Sequence, residues 1–419
     1  MTKSYFNRAV LIGVILAGCL TPLRAQDSGA LLNVLVRKGI LTDQEAEDVR
    51  AELTAESHAA VISSVSGGKS THSLAISGRL QVQYAGLDTD AAGVASTHHL
   101  FLRRFYFGAK AGLGANWTAN LVYDLAGNGF DKAFIEYLGR AGDTPFAIDV
   151  GLRKVNFGLE ESTSSGSLDA IERSGATRYF VEGNNGRRLG AGSYRVGLFL
   201  EGNPNARGQK ADGFFWGAAV TNPERAEGFD GASSAGSSLV NTQAYWADLG
   251  YSGSTGVDGT TTYRLGAGVG LLPDQGGRTR AEGSDLTVFN LYGNVAMGGL
   301  KFAAEYLSAE VDDGIAPGID ASPWGFWVQP SYAFNESWEL VGRYSFTSSD
   351  DRGIKVSDGV RSAPASLTGD NLSEYFLGLN YYFLGNDLKL QFGYVHGTAE
   401  RGGAKESAEG ARSQMQVNF

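Results

Sequence analysis

The sequence is short of most of what a soluble enzyme is built from. It holds a single cysteine, Cys19, in 419 residues. No disulfide can form within the chain, and a cysteine-based metal knuckle or redox pair is excluded. Its five histidines, His58, His72, His98, His99 and His396, stand at no metal-ligand spacing with acids. No enzyme pattern and no cofactor motif stands out. Internal apolar runs fall short of the ~20 residues that a membrane-spanning helix needs, so a helical membrane protein is not expected. Prolines number only 9, and helical periodicity is convincing only over residues 28–57. Positive charge is also scarce: 35 Lys and Arg against 45 Asp and Glu leave a net charge of −10. Nucleic acid is thereby a poor candidate for a partner, and any anion preference must come from local arginine placement.

The first residues have the layout of a secretory signal over 1–25. Lys3 and Arg8 precede the apolar segment AVLIGVILAGCL (9–20), and Leu23-Arg24-Ala25 precedes Gln26. Leu16-Ala17-Gly18-Cys19 also fits a lipoprotein signal, which would leave a lipid on Cys19. Both readings stand. Residues 26–60 suit a helical hairpin in the periplasm or an oligomerisation segment, with Thr42 and Glu45 forming a capping box. Residues 61–73, rich in Ser and Gly, suit a flexible linker.

What the sequence has in abundance is glycine, 59 residues, and alternation. In LAISGRLQVQY, Leu74, Ile76, Leu80, Val82 and Tyr84 share one face, and Ser77, Arg79, Gln81 and Gln83 share the other. Segments with this period of two lie near 74–86, 99–113, 115–125, 131–140, 146–156, 188–201, 213–222, 244–252, 261–271, 285–297, 299–310, 324–334, 337–347, 373–384, 387–398 and 411–419. Apolar outside, polar inside and aromatic near the ends is the pattern of a transmembrane β-barrel. The fold expected over 74–419 is therefore all-β, a 16-stranded antiparallel barrel, with 14 or 18 strands as the alternatives. Tight connections such as 112–114, 298–299 and 335–337 belong to the periplasmic side, and long ones such as 157–187, 223–243 and 348–372 to the outside. The chain ends in QMQVNF, with Met415, Val417 and Phe419 on one face. An aromatic end of this kind resembles the terminal strand that the barrel-assembly machinery reads.

Gly78-Arg79, Arg103-Arg104, Lys154-Val155-Asn156-Phe157-Gly158-Leu159-Glu160, Thr163-Ser164-Ser165 and Glu172-Arg173-Ser174 occur in an order and spacing that resembles the phosphate-selective porins O and P. The resemblance spans roughly 74–419. It implies an outer-membrane porin in a Gram-negative-type bacterium, a homotrimer, with the third outer loop (157–187) folded into the lumen to constrict it. It also implies an anion-binding zone made of Arg79, Arg103 and Arg104 from the wall and Ser164, Ser165 and Arg173 from the loop. Guanidinium groups suit an oxyanion because they offer fixed, bidentate donors and stay charged. The partners implied are small anionic solutes, phosphate or similar oxyanions, together with outer-membrane lipid. Glu160 and Glu161 depart from the family pattern, which has a lysine just before the serines. They either repel phosphate at the pore or anchor the loop to a wall arginine such as Arg153 or Arg195. Arg264 and Arg343 are expected to be solvated lumen residues, each balancing a neighbouring acid. Two readings compete with the anion porin: a weakly selective general porin, and a structural protein linking the barrel to the cell wall.

One stretch resists simple alternation. In FLRRFYFGAKAGL (101–113), Leu102, Arg104, Tyr106, Gly108 and Lys110 suit the lumen and Phe101, Arg103, Phe105 and Phe107 suit lipid. An arginine facing the bilayer midplane costs roughly 2–4 kcal/mol. Arg103 must then lie at the outer girdle, or a β-bulge must turn both arginines inward.

Overall fold

A computed structural model describes residues 60–62, 71–183, 185–223, 242–255, 261–273 and 285–419. The signal segment, Cys19 and the expected helical hairpin lie outside these residues, apart from the short strand Ala60–Ile62, which pairs with the first barrel strand.

Sixteen antiparallel strands close on themselves: β1 Thr71–Thr89, β2 Thr97–Leu113, β3 Trp117–Asp124, β4 Gly129–Ala141, β5 Thr144–Lys154, β6 Tyr194–Gly202, β7 Gly213–Thr221, β8 Ala244–Thr255, β9 Thr261–Leu272, β10 Leu286–Met297, β11 Leu300–Ala316, β12 Trp324–Ala333, β13 Trp338–Ser348, β14 Asn371–Leu384, β15 Leu388–Arg401 and β16 Ala404–Asn418. Each pairs with its neighbour in sequence, and β16 pairs with β1 in the register Gln414↔Gln83 and Asn418↔Arg79. Closure leaves no free edge, which is what lets strands cross a membrane. The expected fold and strand count are both found.

The outward residues are the apolar half of each alternation. Leu100, Leu121, Val150, Leu265, Leu291 and Leu377 are all exposed on the wall. Aromatic rings run along both rims of this surface. Tyr306, Trp324, Phe346, Phe326, Tyr344 and Tyr375 form one connected belt, and Trp338, Tyr381 and Phe383 belong to the opposite rim. Such belts sit at the membrane–water interfaces.

Several boundaries differ from the sequence reading, and two of them have a clear physical cause. The sixth strand begins at Tyr194 rather than near 188. Leu189 and Ala191 alternate as a strand would, but their N–H groups donate to the carbonyls of Tyr179 and Phe180 inside the lumen. The last strand begins at Ala404, because Gly402 and Gly403, both with positive φ (55° and 85°), make a two-residue hairpin turn. The polar run AKESAEGA carries no apolar face to betray that strand.

The barrel is not an empty tube. The connection 155–193 enters it, carrying two short helices, α1 Leu159–Ser162 and α2 Gly175–Val181. Val155, Phe157, Leu159, Ile171, Tyr179, Phe180 and Val181 are buried there against wall residues such as Phe199, Trp246, Trp327 and Phe376. A second outer loop, 349–370, follows it inward. Its turn of helix Val356–Gly359 packs on α2, so that Arg178 donates to the carbonyl of Gly359 at 2.7 Å.

Candidate functional site

The site begins with a broken ladder. Gln81 on β1 pairs with Arg104 on β2, but the next residue, Val82, pairs with Leu102. Arg103 is the extra residue of a β-bulge, and a bulge lets two consecutive side chains face the same way. Leu102 is 55 % exposed on the outer wall, while Arg104 is 5 % exposed inside the barrel. Arg103 and Arg104 therefore both enter the lumen. The assignment of Leu102 to the lumen, which simple alternation suggested, is corrected by the same bulge: upstream of it the outward residues are the even ones.

Each arginine meets a different partner. Arg103 grips Glu172 of the loop with two bonds, 2.5 and 3.1 Å. Arg104 donates to the neutral side chain of Gln81 at 2.8 Å. Arg79 lies over the Tyr106 ring and donates to Asn418 at 2.8 Å, Ser165 at 2.8 Å and Ser164 at 3.1 Å. A Cβ at Gly166 would meet the Arg79 guanidinium, so a larger residue there requires that side chain to shift. The structure thus brings together Arg79, Ser164 and Ser165 as one group and places Arg103 and Arg104 beside them on the next strand.

Arg173 sits elsewhere and is buried. It pairs with Glu161 at 2.8 Å and donates to the carbonyls of Glu160, Glu161 and Thr163. Glu161 also takes Lys154 at 2.8 Å. Glu160 is held by Arg343 at 2.8 Å and by the backbone N–H of Ser174. The two glutamates therefore anchor the loop, but through Arg343, Lys154 and Arg173, not through Arg153 or Arg195. Arg343 is not a solvated lumen residue: it is buried between Glu160 and Glu374 (2.7 Å). Arg264 is half-buried under the Tyr292 ring and donates to the Arg207 carbonyl at 2.6 Å.

The electrostatics of the loop follow from these pairs. Burial by itself would raise the Glu172 carboxyl. The guanidinium groups of Arg103 and Arg361 outweigh it and hold the group well below the usual carboxylate range. Burial is likewise overcome at Glu182, which Arg178, Arg361 and Arg188 pull down to about 2. Arg361, from the second loop, bonds both Glu172 (3.0 Å) and Glu182, so it fastens the two loops together.

Amides do the rest of the anchoring, and sequence reasoning did not foresee their partners. Wall side chains donate to successive loop carbonyls: Gln81 to Ser165, Gln416 to Gly166, Lys389 and Gln391 to Leu168, Gln391 and Asn380 to Asp169. The same amides bond one another around the wall, Gln81 to Gln416 and Gln83 to Gln414 and on to Gln391. Alternation does put Gln81 and Gln83 on the inner face. What it cannot tell is that Gln81 meets the Ser165 carbonyl and Gln83 the Glu172 carboxylate, both far along the chain.

Arg79, Arg104 and Arg412 make no ion pair among the described residues. Arg412, on β16, donates to the Arg361 carbonyl. With the loop's glutamates all matched by cations, this group leaves positive charge in a chain whose overall charge is negative.

The family model described as phosphate-selective porin O and P matches residues 74–419. No curated protein matches the sequence. Among solved structures, the anion-selective porin from Comamonas acidovorans is similar at 13 % identity, covering 83 % of this chain and 99 % of that one, with a TM-score of 0.55. The outer membrane channel DcaP of Acinetobacter baumannii is similar at 8 % identity, 85 % and 100 % coverage and a TM-score of 0.52. The trimer form of OmpT from Vibrio cholerae is similar at 13 % identity, 82 % and 98 % coverage and a TM-score of 0.51. At these identities the likeness is one of fold: a closed barrel of porin type.

Proposed function

Because this chain belongs to the phosphate-selective porin O and P family and forms a porin barrel of the outer membrane, we propose that it passes small anions passively through a lumen narrowed by the loop 155–193. The observation that carries this reading is the imbalance of charge around that loop. Arg79, Arg104 and Arg412 face inward without a carboxylate, while Glu160, Glu161 and Glu172 are each bonded to cations. The Comamonas acidovorans porin of similar fold is described as anion-selective, which agrees with it.

Weak selectivity among anions is favoured over a dedicated phosphate site. The Arg79 guanidinium is already bonded to Asn418, Ser164 and Ser165, and Arg103 to Glu172. The donors that the resemblance assigned to phosphate are thus largely engaged, and the site offers field more than free hydrogen bonds. Several moderate attractions in series let an anion enter and still leave. The rest of the reading goes with the family. The chain would be exported with residues 1–25 removed, inserted into outer-membrane lipid by the barrel-assembly machinery acting on Phe419, and assembled as a homotrimer. A trimer form is named for OmpT.

Single-channel recording across a salt gradient tests the reading. An anion-preferring reversal potential is expected, with phosphate reducing chloride current only weakly. A cation-preferring potential sinks the anion porin. Tight block by phosphate favours a dedicated phosphate channel, and absence of conductance from a folded trimer favours a structural protein.

A further inference from the structure

One rim of the barrel carries the start of β1, the end of β16 and the turns 114–116, 142–143, 298–299, 334–337 and 385–387. Tight turns mark it as the periplasmic rim. Among the described residues, one connection at this rim is not tight. Residues 203–212, between β6 and β7, carry the helical turn Pro204–Arg207 (α3) and hold Asn203 and Gln209 at positive φ, 53° and 57°.

This connection folds inward. Arg207 pairs with Asp248 of β8 at 2.5 Å and with Glu201 of β6 at 3.6 Å, and its guanidinium lies over the Phe215 ring of β7. Arg264 of β9 donates to its carbonyl, Asn294 of β10 donates to Gln209 at 3.1 Å, and Ser254 of β8 donates to Asp212 at 2.9 Å. A side chain at Gly217 on β7 would strike Asp248 and Arg207. The turn therefore lies across the inner wall from β6 to β10.

The loop tip 164–169 lies across a different arc at a similar height. It is bonded to Arg79 of β1, Gln416 of β16, Gln391 of β15, Asn380 of β14 and Lys301 of β11. Inward side chains under both arcs are buried: Gln416, Lys389, Asn380 and Ser331 under the loop tip, and Glu201, Phe215 and Ser252 under the turn. Toward this rim, several inward residues of β2 to β4 are open. The Lys110 side chain is 51 % exposed, Lys132 is exposed, and Thr118, Asn120 and Glu136 are half-exposed.

We infer that the turn 203–212 is a second constricting element, and that together with the loop tip it confines the passage, in the periplasmic third of the barrel, to the wall of β2, β3 and β4. The inference rests on the porin reading above and specifies where the solute runs. Glu136 pairs with Lys110 at 3.3 Å, so the path lined by Lys110, Lys132, Asn120 and Glu136 keeps one cation in excess, which suits an anion and brings it past Arg79 at the edge of the loop tip.

Substituted cysteines test it, since the described barrel has none. Thr118→Cys, Ser252→Cys and Ser331→Cys are small changes at similar height on the open, turn-covered and loop-covered walls. Channels in a planar bilayer are treated with the anionic thiol reagent 2-sulfonatoethyl methanethiosulfonate while current is recorded, with the unsubstituted protein as control. Thr118→Cys is expected to lose current, and to react faster than Ser252→Cys or Ser331→Cys by about tenfold or more. Adding Arg207→Ala, which releases the turn, is expected to make Ser252→Cys reactive and to leave Ser331→Cys protected. Equal rates at Thr118→Cys and Ser252→Cys in channels that conduct overturn the inference while leaving the porin reading intact. Protection of Thr118→Cys in such channels does the same. Absence of conductance from every variant, and from the unsubstituted protein, overturns the porin reading and this inference with it.

Discussion

Two arginines on the inner wall show how little the residue type alone decides. Arg104 donates to an amide and has no carboxylate to neutralise its charge; the charge of Arg343 is matched by Glu160 and Glu374. Arg104→Ala should therefore reduce the preference for anions, read as a shift of the reversal potential toward the cation side, with little change in stability. Arg343→Ala should act through structure. It leaves two buried carboxylates without their cation, a loss of about 3–5 kcal/mol when one partner of a buried pair is removed. Detached from the wall, the loop should give larger and noisier conductance steps. Equal shifts of reversal potential in both variants would show that the charge field is centred elsewhere. Alternation alone puts Arg79 on the inner face, because its strand alternates cleanly. It left Arg103 open, because one inserted residue exchanges the two faces of a strand and nothing in the letters FLRRF marks the insertion. It gave Arg343 a neighbouring acid but not its burial, because a solvated lumen cation and a buried anchor look the same along a strand.

At the scale of elements, the two inward loops behave as one body. Arg361 bonds Glu172 and Glu182, Arg187 bonds Asp358 at 2.6 Å, and Arg178 caps the end of the helical turn Val356–Gly359. Glu182, at about 2 in the fold against an ordinary 4.5, and the strongly depressed Glu172 contribute stability that is fully present above the ordinary value. That stability is lost only as pH falls through their folded values. In a Glu305→Gln, Asp149→Asn background, which removes two buried carboxylates of the wall that have environments of their own, single-channel conductance and open-channel noise should then stay constant from pH 8 down to about pH 4.5, with loosening confined to more acid solution. A gating step centred between pH 5 and 6 in that background would mean that Glu172 and Glu182 are not held by their arginines. The strands themselves were legible, since a period of two with aromatic ends survives any uncertainty of boundary. The packing of the loops was not. It depends on amide donors, such as Gln391 and Asn380, that meet carbonyls more than two hundred residues away, and no local pattern encodes such a meeting.

For the molecule as a whole, the critical seam is the one that joins the last strand to the first. Phe419 exchanges backbone bonds with Gly78 (2.6 and 3.1 Å), and its ring lies 2.2 Å from where a Cβ on Gly78 would stand. The terminal aromatic thus covers a glycine across the seam, as Phe146 covers Gly139 and Trp216 covers Gly202 elsewhere on the outer wall. Part of the chain's abundance of glycine is explained by such seats for girdle rings. Gly78→Val should push the ring off the seam and weaken closure, and Gly78→Ala should do so less. The measurement is the temperature at which the protein, run unheated or after graded heating on a denaturing gel, passes from its folded to its unfolded mobility. The expected order is wild type above Gly78→Ala above Gly78→Val. Because the penalty is steric, Phe419→Ala should cancel much of it, so the double variant Gly78→Val, Phe419→Ala should melt close to Phe419→Ala alone. Additive losses would show that Gly78 serves the backbone of β1 rather than the terminal ring, and the seam would then depend on its hydrogen bonds alone.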